Sequence, residues 1–375
     1  MKKIPVNIRA RLRASGSFVW KQILVVVAAL VIASVLIAIF GFRPTAVLEG
    51  IGNAVARDLS GTLRWFVPLL FTGLACAVAF KAGVWNMGVD GQLYMGAIAA
   101  TTVALKCAFL PAGLLWPLTV LAGMAAGALW ALIAGWLRVA CGAKEVVTTI
   151  LMNYLAFYFT DFMVLGPLKG TGTYSVAQSS DLIQESLWLP RVIPDSSVSA
   201  GLWIGLALIA VMCFLVAKTP FGYEIKLLGT NRAFANYGGI NIKRSFLRTI
   251  AVSGAIAGLC GVVEILGVHH RFPFRFSSNL GFDGIVVSIL ANDNPIGVLF
   301  SGFFFAVLRN GSYNIERMSD VPRSLVLVVQ ATIIILAGAK YFFSRRKGAG
   351  WFRPIQNKKL TAAGGEPGGA HVGNH

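Results

Sequence analysis

The sequence predicts an all-α, polytopic membrane protein with about ten transmembrane helices. Three observations lead there. Of 375 residues, 56% are apolar and only 13% are charged. Long uncharged runs recur, among them Ile23 to Phe40, Cys107 to Leu137, Leu202 to Ala217 and Leu325 to Ala339. The net charge of +18 is also unevenly placed. With both ends on one side of a ten-span chain, that side holds 22 of the 33 Lys and Arg, in Lys2 to Lys21, Lys81, Arg138 and Lys144, Lys218 to Arg248 and Lys340 to Lys359. This bias follows the positive-inside rule, so the N and C termini are expected on the cytoplasmic side of the membrane.

Taken in order, the predicted spans centre near residues 31, 71, 99, 126, 155, 209, 257, 288, 302 and 332. The first run is too long for a secretory leader and no small-residue cleavage site follows it before Gly41, so it reads as a retained span. The third and eighth have short apolar cores, Leu93 to Leu105 and Ile285 to Ala291, so both are expected to begin inside irregular segments. Residues 1–20 form a basic cytoplasmic N-terminus, 21–343 the membrane domain, and 344–375 a basic tail of disordered composition. The basic clusters at both ends suit anionic lipid of the inner leaflet. Neither has a nucleic-acid module around it, so no nucleic-acid partner is expected.

Two connecting segments stand out. Gly166 to Ala200 carries Pro167, Pro190 and Pro194 without a sustained helical period, and reads as an external loop. On the cytoplasmic side, Lys218 to Arg248 predicts two short helices. The first covers Tyr223 to Leu228 and stops at Gly229; the second is capped by Thr230 or Asn231, runs through Ala233 to Tyr237, and ends where Gly238 turns left-handed. Such a pair docks a partner or simply connects two spans.

The segment Lys81-Ala-Gly-Val-Trp-Asn-Met-Gly-Val-Asp-Gly-Gln92 sets polar side chains and three glycines between apolar runs. It reads either as a broken helix beside a permeation path or as a cytoplasmic loop. Its Gly88-Val-Asp-Gly91 recurs as Gly281-Phe-Asp-Gly284, five spans later. An inverted repeat of five plus five helices would produce that spacing. Gly123-x-x-x-Gly127 and Gly254-x-x-x-Gly258, followed by Gly261, predict close helix contact.

Catalytic signals are missing. The ionisable groups near the spans, Asp90, Glu145, Asp161, Glu264 and Asp283, form no catalytic spacing within one helix, and no Gly-x-x-x-x-Gly-Lys-Ser/Thr occurs. His269-His270, beside Arg271 and Arg275, lacks a third ligand for a metal. The five cysteines have no C-x-x-C spacing and read as small buried hydrophobes.

Lys81 to Gln92, Lys144 to Tyr154, Leu228 to Asn231 with Gly239-Ile240, Ser253 to Gly258, Gly281 to Ile285 and Asn294-Pro-Ile-Gly297 together resemble the permease subunits of bacterial ABC importers for nucleosides and simple sugars. The likeness covers roughly residues 60 to 340 in order, and points to the nucleoside-type permeases that work with a basic-membrane-protein-type binding lipoprotein. Asp90 stands where that family usually has Glu, and Arg232-Ala-Phe replaces a Pro-containing start of the second cytoplasmic helix.

The resemblance implies a transport subunit, not an enzyme, with no cofactor of its own and ATP bound on a separate ABC ATPase subunit. It also implies a second permease, a paralogue, and an extracytoplasmic binding lipoprotein. Trp85, Asn86, Asp90, Gln92, Asn153, Tyr154 and Asp283 are the candidate substrate path. Gly222, Glu224, Gly229, Thr230, Asn231, Ala235, Gly238 and Gly239 are the candidate ATPase-coupling residues. A nucleoside fits the amides and aromatic faces best; a simple sugar or a branched-chain amino acid is the alternative. An ion-coupled secondary transporter would share the broken helices without needing the cytoplasmic pair.

Overall fold

The computed structural model describes residues 45–171, 178–277 and 279–318, with isolated positions from 31 to 43 and from 322 to 332. The spans expected around residues 31 and 332 fall largely outside these residues, as do the segments 1–20 and 344–375. The described chain is helical: α1 (Thr45–Ala56), α2 (Leu59–Lys81), α3 (Val89–Lys106), α4 (Ala112–Cys141), α5 (Glu145–Leu165), α6 (Gly201–Lys218), α7 (Pro220–Thr230), α8 (Arg232–Tyr237), α9 (Ile242–Glu264), α10 (Leu280–Leu290) and α11 (Pro295–Met318). Five helices are long and apolar enough to cross a membrane, namely α2, α4, α5, α6, and α9 with its π-helical extension to His269.

Those five divide into a centre and a periphery. In α2 and α9, 78% and 83% of the apolar window is buried inside the protein, against 33%, 28% and 33% in α4, α5 and α6. Glycine explains how α9 reaches the centre. A Cβ on Gly127 would collide with the Gly254 carbonyl, one on Gly258 with the Gly123 carbonyl, and one on Gly96 with Gly258, so α3, α4 and α9 meet backbone to backbone as their small-residue spacing predicted.

Polar residues explain why α3 and α11 are not among the five. Asp90, Gln92 and Thr101 in α3, and Arg309, Asn310 and Asn314 in α11, are all buried. Such residues are admitted at membrane depth where protein surrounds them. Asn310, for example, donates to the Asp58 backbone carbonyl (3.0 Å) and to Thr62 Oγ1 (3.1 Å) at the start of α2. Only two cysteines, Cys76 and Cys260, are fully buried, and Cys141 at the end of α4 is exposed, since it lies on the terminal turn.

At one end of the bundle, residues 178–200 fold as irregular chain pinned to the segment after α9. Ile183 N–H donates to the His270 carbonyl (2.9 Å), Leu189 N–H to Leu266 (2.9 Å) and Ser180 N–H to Phe272 (3.0 Å). The short helices α7 and α8 lie at the other end, against the last turn of α2.

Candidate functional site

Two breaks in helical structure meet inside the bundle. The first follows α2, which ends in a left-handed Gly83 (φ +69°) with Gly83 N–H on the Phe80 carbonyl (2.9 Å) and Val84 N–H on Ala79 (3.0 Å). These are the paired closing bonds of a Schellman turn. The chain then re-enters the bundle without helix until α3 starts at Val89.

Side-chain amides satisfy that non-helical backbone. Asn86 Nδ2 donates to Gln92 Oε1 (2.9 Å) and Ser253 Oγ (2.9 Å), while its Oδ1 accepts from Gln92 Nε2 (2.9 Å) and the Gly88 N–H (3.0 Å). Asn153 on α5 accepts from the Gly91 N–H (2.8 Å) and donates to the Met87 carbonyl (2.9 Å). Asn86, Gln92 and Asn153 are all buried. Their amide bonds hold the break in shape, as buried backbone requires.

The second break precedes α10. Asn279 at its N-cap has φ +60° and makes no side-chain cap bond. Asp90 caps the helix from outside: its Oδ1 accepts from the Gly281 N–H (3.0 Å) and from Ser277 Oγ (3.1 Å), and Ser277 Oγ accepts in turn from Leu280 N–H (3.4 Å). A carboxylate at a helix N-terminus is favoured by the unpaired N–H groups there. Asp90 Oδ2 is buried without a hydrogen-bond partner.

The two Gly-x-Asp-Gly motifs are thus in contact. α10 has 11 residues, about 16 Å of helix. That is roughly half a hydrocarbon core of about 30 Å. Its far end is tied to the end of α2, where Lys81 Nζ donates to the Asp293 carbonyl (3.1 Å). The junction of Asp90 with Gly281 therefore lies about halfway through the bundle.

Asp283, one turn into α10, behaves differently. It pairs with Arg309 of α11, whose guanidinium lies 4.2 Å from the Trp65 ring centroid. A second part-buried pair, Arg64 with Glu264 (2.6 and 3.1 Å), joins the central helices nearer the 178–200 end. Local spacing carries no signal for either arginine.

Of the other path candidates, Trp85 (43% exposed) packs on Phe80, and Tyr154 (57% exposed) stands edge-on to Phe157. Tyr154 follows Asn153 on α5 but points outward, and its neighbour Phe157 packs in turn on Tyr94 at 4.8 Å. Tyr158, one turn on, is also exposed. Among the described peripheral helices, α4 and α6 expose aliphatic side chains, Phe and Trp, whereas α5 also exposes these two phenols. Beyond them, Arg275 binds Asp161 at 2.9 and 3.1 Å, and this bond pushes the guanidinium further up. His270, stacked on Trp188 at 4.0 Å, is pushed below its ordinary value by burial.

Of the α7–α8 candidates, Gly222 and Ala235 are buried, Glu224 is half-buried, and Gly229, Thr230, Asn231, Gly238 and Gly239 are exposed. Helix α7 is longer than the expected Tyr223 to Leu228, because Thr219 caps it by accepting from the Gly222 N–H (3.3 Å) and Pro220 suits its first position. Gly222 packs on the carbonyls of Leu215 and Val216. Glu224 accepts from Ser245 Oγ of α9 (2.6 Å), and Ala235 is buried. Thr230 bonds back to the Lys226 carbonyl (2.8 Å), while Asn231 caps α8 by accepting from Phe234 N–H (3.0 Å).

Gly238 was expected to turn left-handed, but its φ is −75°; Gly239 takes that conformation at φ +79°. The helix closes one residue later because Ile240 N–H reaches back to the Ala235 carbonyl (3.0 Å). The large exposed hydrophobic side chains of α7 and α8 are Tyr223, Phe234 and Tyr237, aromatics in polar surroundings that the glycine pattern overshadowed.

Residues 59–338 match the family model described as branched-chain amino acid transport system / permease component. The chain belongs to this permease family. A nucleoside ABC transporter permease protein of Lactococcus lactis is 32% identical, with 85% of this chain and 90% of the relative covered. A glucose ABC transporter permease protein of Haloferax volcanii is 34% identical over 80% of this chain and 81% of its own, and a guanosine ABC transporter permease protein of Bacillus subtilis 29% over 85% and 92%. The permease is accordingly a membrane protein and one component of a transport system.

Proposed function

We propose that this permease forms the translocation path for a nucleoside in an ABC importer. The observation that carries the reading is its likeness along most of its length to the Lactococcus nucleoside permease, with the Bacillus guanosine permease similar over the same share. The exposed phenols of Tyr154 and Tyr158 on α5, the helix whose Asn153 bonds Gly91, support it, because phenol rings offer a stacking face and a hydrogen bond without charge. The path in this reading runs along α5 past Trp85, Tyr154 and the Asp90–Gly281 junction, with Asn86, Gln92 and Asn153 holding its wall and Asp283 fixed by Arg309.

Ten spans in two inverted sets of five complete the architecture, with both termini cytoplasmic. The contact between the two Gly-x-Asp-Gly motifs supports that arrangement, since two half-helix starts meeting inside the bundle are what inverted repeats produce. ATP is bound and hydrolysed on separate ATPase subunits that receive α7 and α8, and a second permease and an external binding lipoprotein complete the importer. The Haloferax glucose permease favours a second reading, a simple sugar.

Reconstitution with ATPase subunits and binding protein in liposomes tests the choice. Labelled guanosine should accumulate only with ATP, and excess glucose should not compete. Glucose uptake without nucleoside uptake would establish the sugar reading. Accumulation on a proton or sodium gradient by the permease alone would overturn the ABC mechanism.

A further inference from the structure

The two breaks are joined twice, once at the Asp90–Gly281 junction and once more at the end of α2. At that end Lys81 Nζ holds the Asp293 carbonyl in the turn after α10 (3.1 Å). Helix α7 presses on the same place: Gly229 lies so close to the Lys81 carbonyl that a Cβ there would overlap it, and the Gly229 Cα would be 3.5 Å from a Cβ on Gly83. From the first residue of α8, Arg232 Nη2 donates to the Gly83 carbonyl (2.8 Å). The cytoplasmic helix pair therefore touches the residues from which the first break departs, and through Lys81 the turn in which α10 ends.

We propose that α7 and α8 act on the mid-bundle junction through this contact, with Gly229 and Arg232 as its positioning residues. The inference rests on the importer reading, and specifies where the ATPase stroke enters the permease. Movement of the pair along α6 and α9 alone would shift whole helices. Contact with 81–83 instead displaces the base of the non-helical segment, and that segment cannot absorb the motion because Asn86 is bonded to Gln92, Ser253 and Gly88 at once.

The same displacement reaches α10 from its other end. Lys81 carries it to the Asp293 turn, and α10 passes it as a rigid rod to Gly281. At the junction there is no slack, since Gly281 lies against the Asp90 backbone with no room for a Cβ. One push thus moves both half-helix starts, as transitions between packed arrangements require.

Exposure limits what Arg232 can add to stability, which makes it a clean probe. The arginine is exposed and its bond is at the surface, so its removal should leave the fold intact. The experiment uses the complete complex of permeases, ATPase subunits and binding protein in liposomes. It reads nucleoside uptake per ATP hydrolysed, and hydrogen exchange of the 82–90 and 280–293 backbone with and without vanadate-trapped nucleotide.

Wild type should show a nucleotide-dependent change of exchange in both segments. Arg232→Ala should bind ATPase normally yet lose several-fold in uptake per ATP, with the exchange change diminished in both segments together. Arg232→Lys should recover most of both, because an ammonium can still donate to the Gly83 carbonyl. Gly229→Ala should uncouple more severely; should that variant fail to assemble, Arg232→Ala decides alone. Wild-type coupling and exchange in Arg232→Ala would overturn the proposal. A wild-type complex with no ATP-driven uptake would overturn the importer reading and this contact's role with it, and that failure appears before any substitution.

Discussion

The segments Gly88 to Gly91 and Gly281 to Gly284 share one pattern and hold their aspartates by opposite chemistry. Asp90 has no arginine bonded to it, and caps a neighbouring helix through backbone N–H and a serine hydroxyl. Asp283 sits in an ion pair with Arg309. The glycines, by contrast, sit in close contact in both. A Cβ on Gly88 would lie 3.0 Å from Gln92 Nε2, one on Gly91 2.9 Å from Asn153, and one on Gly284 2.6 Å from Thr72, while Gly281 abuts Asp90. At Gly91, Gly281 and Gly284 the repeat preserves close approach to a neighbouring helix's backbone, while Gly88 meets side chains alone, and each carboxylate takes its role from whatever neighbour that approach provides.

The largest effect should come from breaking the approach itself. Gly281→Val would drive a branched side chain into the Asp90 backbone, where no flexible atom can yield. Overpacking of this kind costs about 3 kcal/mol or more when backbone must move. The variant should fail to give a monodisperse peak in detergent, and normal recovery would mean that the two half-helix starts are not locked.

Next in size is the ion pair. Arg309→Met leaves the part-buried Asp283 without its partner, and residual hydration of the carboxylate should hold the loss to about 3 kcal/mol or less, the low end for a buried pair. The double variant Arg309→Met with Asp283→Leu should regain most of it, because two well-packed apolar groups avoid the desolvation of both charges. Thermal unfolding in detergent measures both. If the double variant is as unstable as the single one, the pair holds α10 to α11 by something other than charge compensation.

This contrast also marks what local sequence can reveal. The first break was legible because polar residues and Gly83, Gly88 and Gly91 interrupt hydrocarbon, and the α4–α9 contact because small residues recur every fourth position. The short helix pair α7 and α8 was legible from its caps, although two adjacent glycines hid which one turns left-handed. Partners across the bundle were not. Arg64 and Glu264 lie 200 positions apart, and Asp58 and Asn310 252, so nothing in their spacing couples them. Nor could apolarity show that Asn86 and Gln92 bind one another while Asn153 binds the backbone, since an amide facing a wet path has the same local sequence.

The smallest effect should fall on Asp90, and it separates capping from charge. Asp90→Asn keeps an oxygen for the Gly281 N–H and Ser277 hydroxyl and turns its amide nitrogen toward the side where Oδ2 now has no partner. It loses the extra strength of charge-assisted bonds but also the desolvation of a buried carboxylate, so the net change should stay within about 1 kcal/mol. Asp90→Ala removes the acceptor altogether and strands a backbone donor, at about 1 to 3 kcal/mol. Transport by Asp90→Asn should keep the wild-type dependence on pH, because the side chain's bonds to Gly281 and Ser277 serve to hold a helix start. An Asn variant as unstable as the Ala variant would show that the charge itself is required, which would make Asp90 resemble Asp283 and erase the difference between the two motifs.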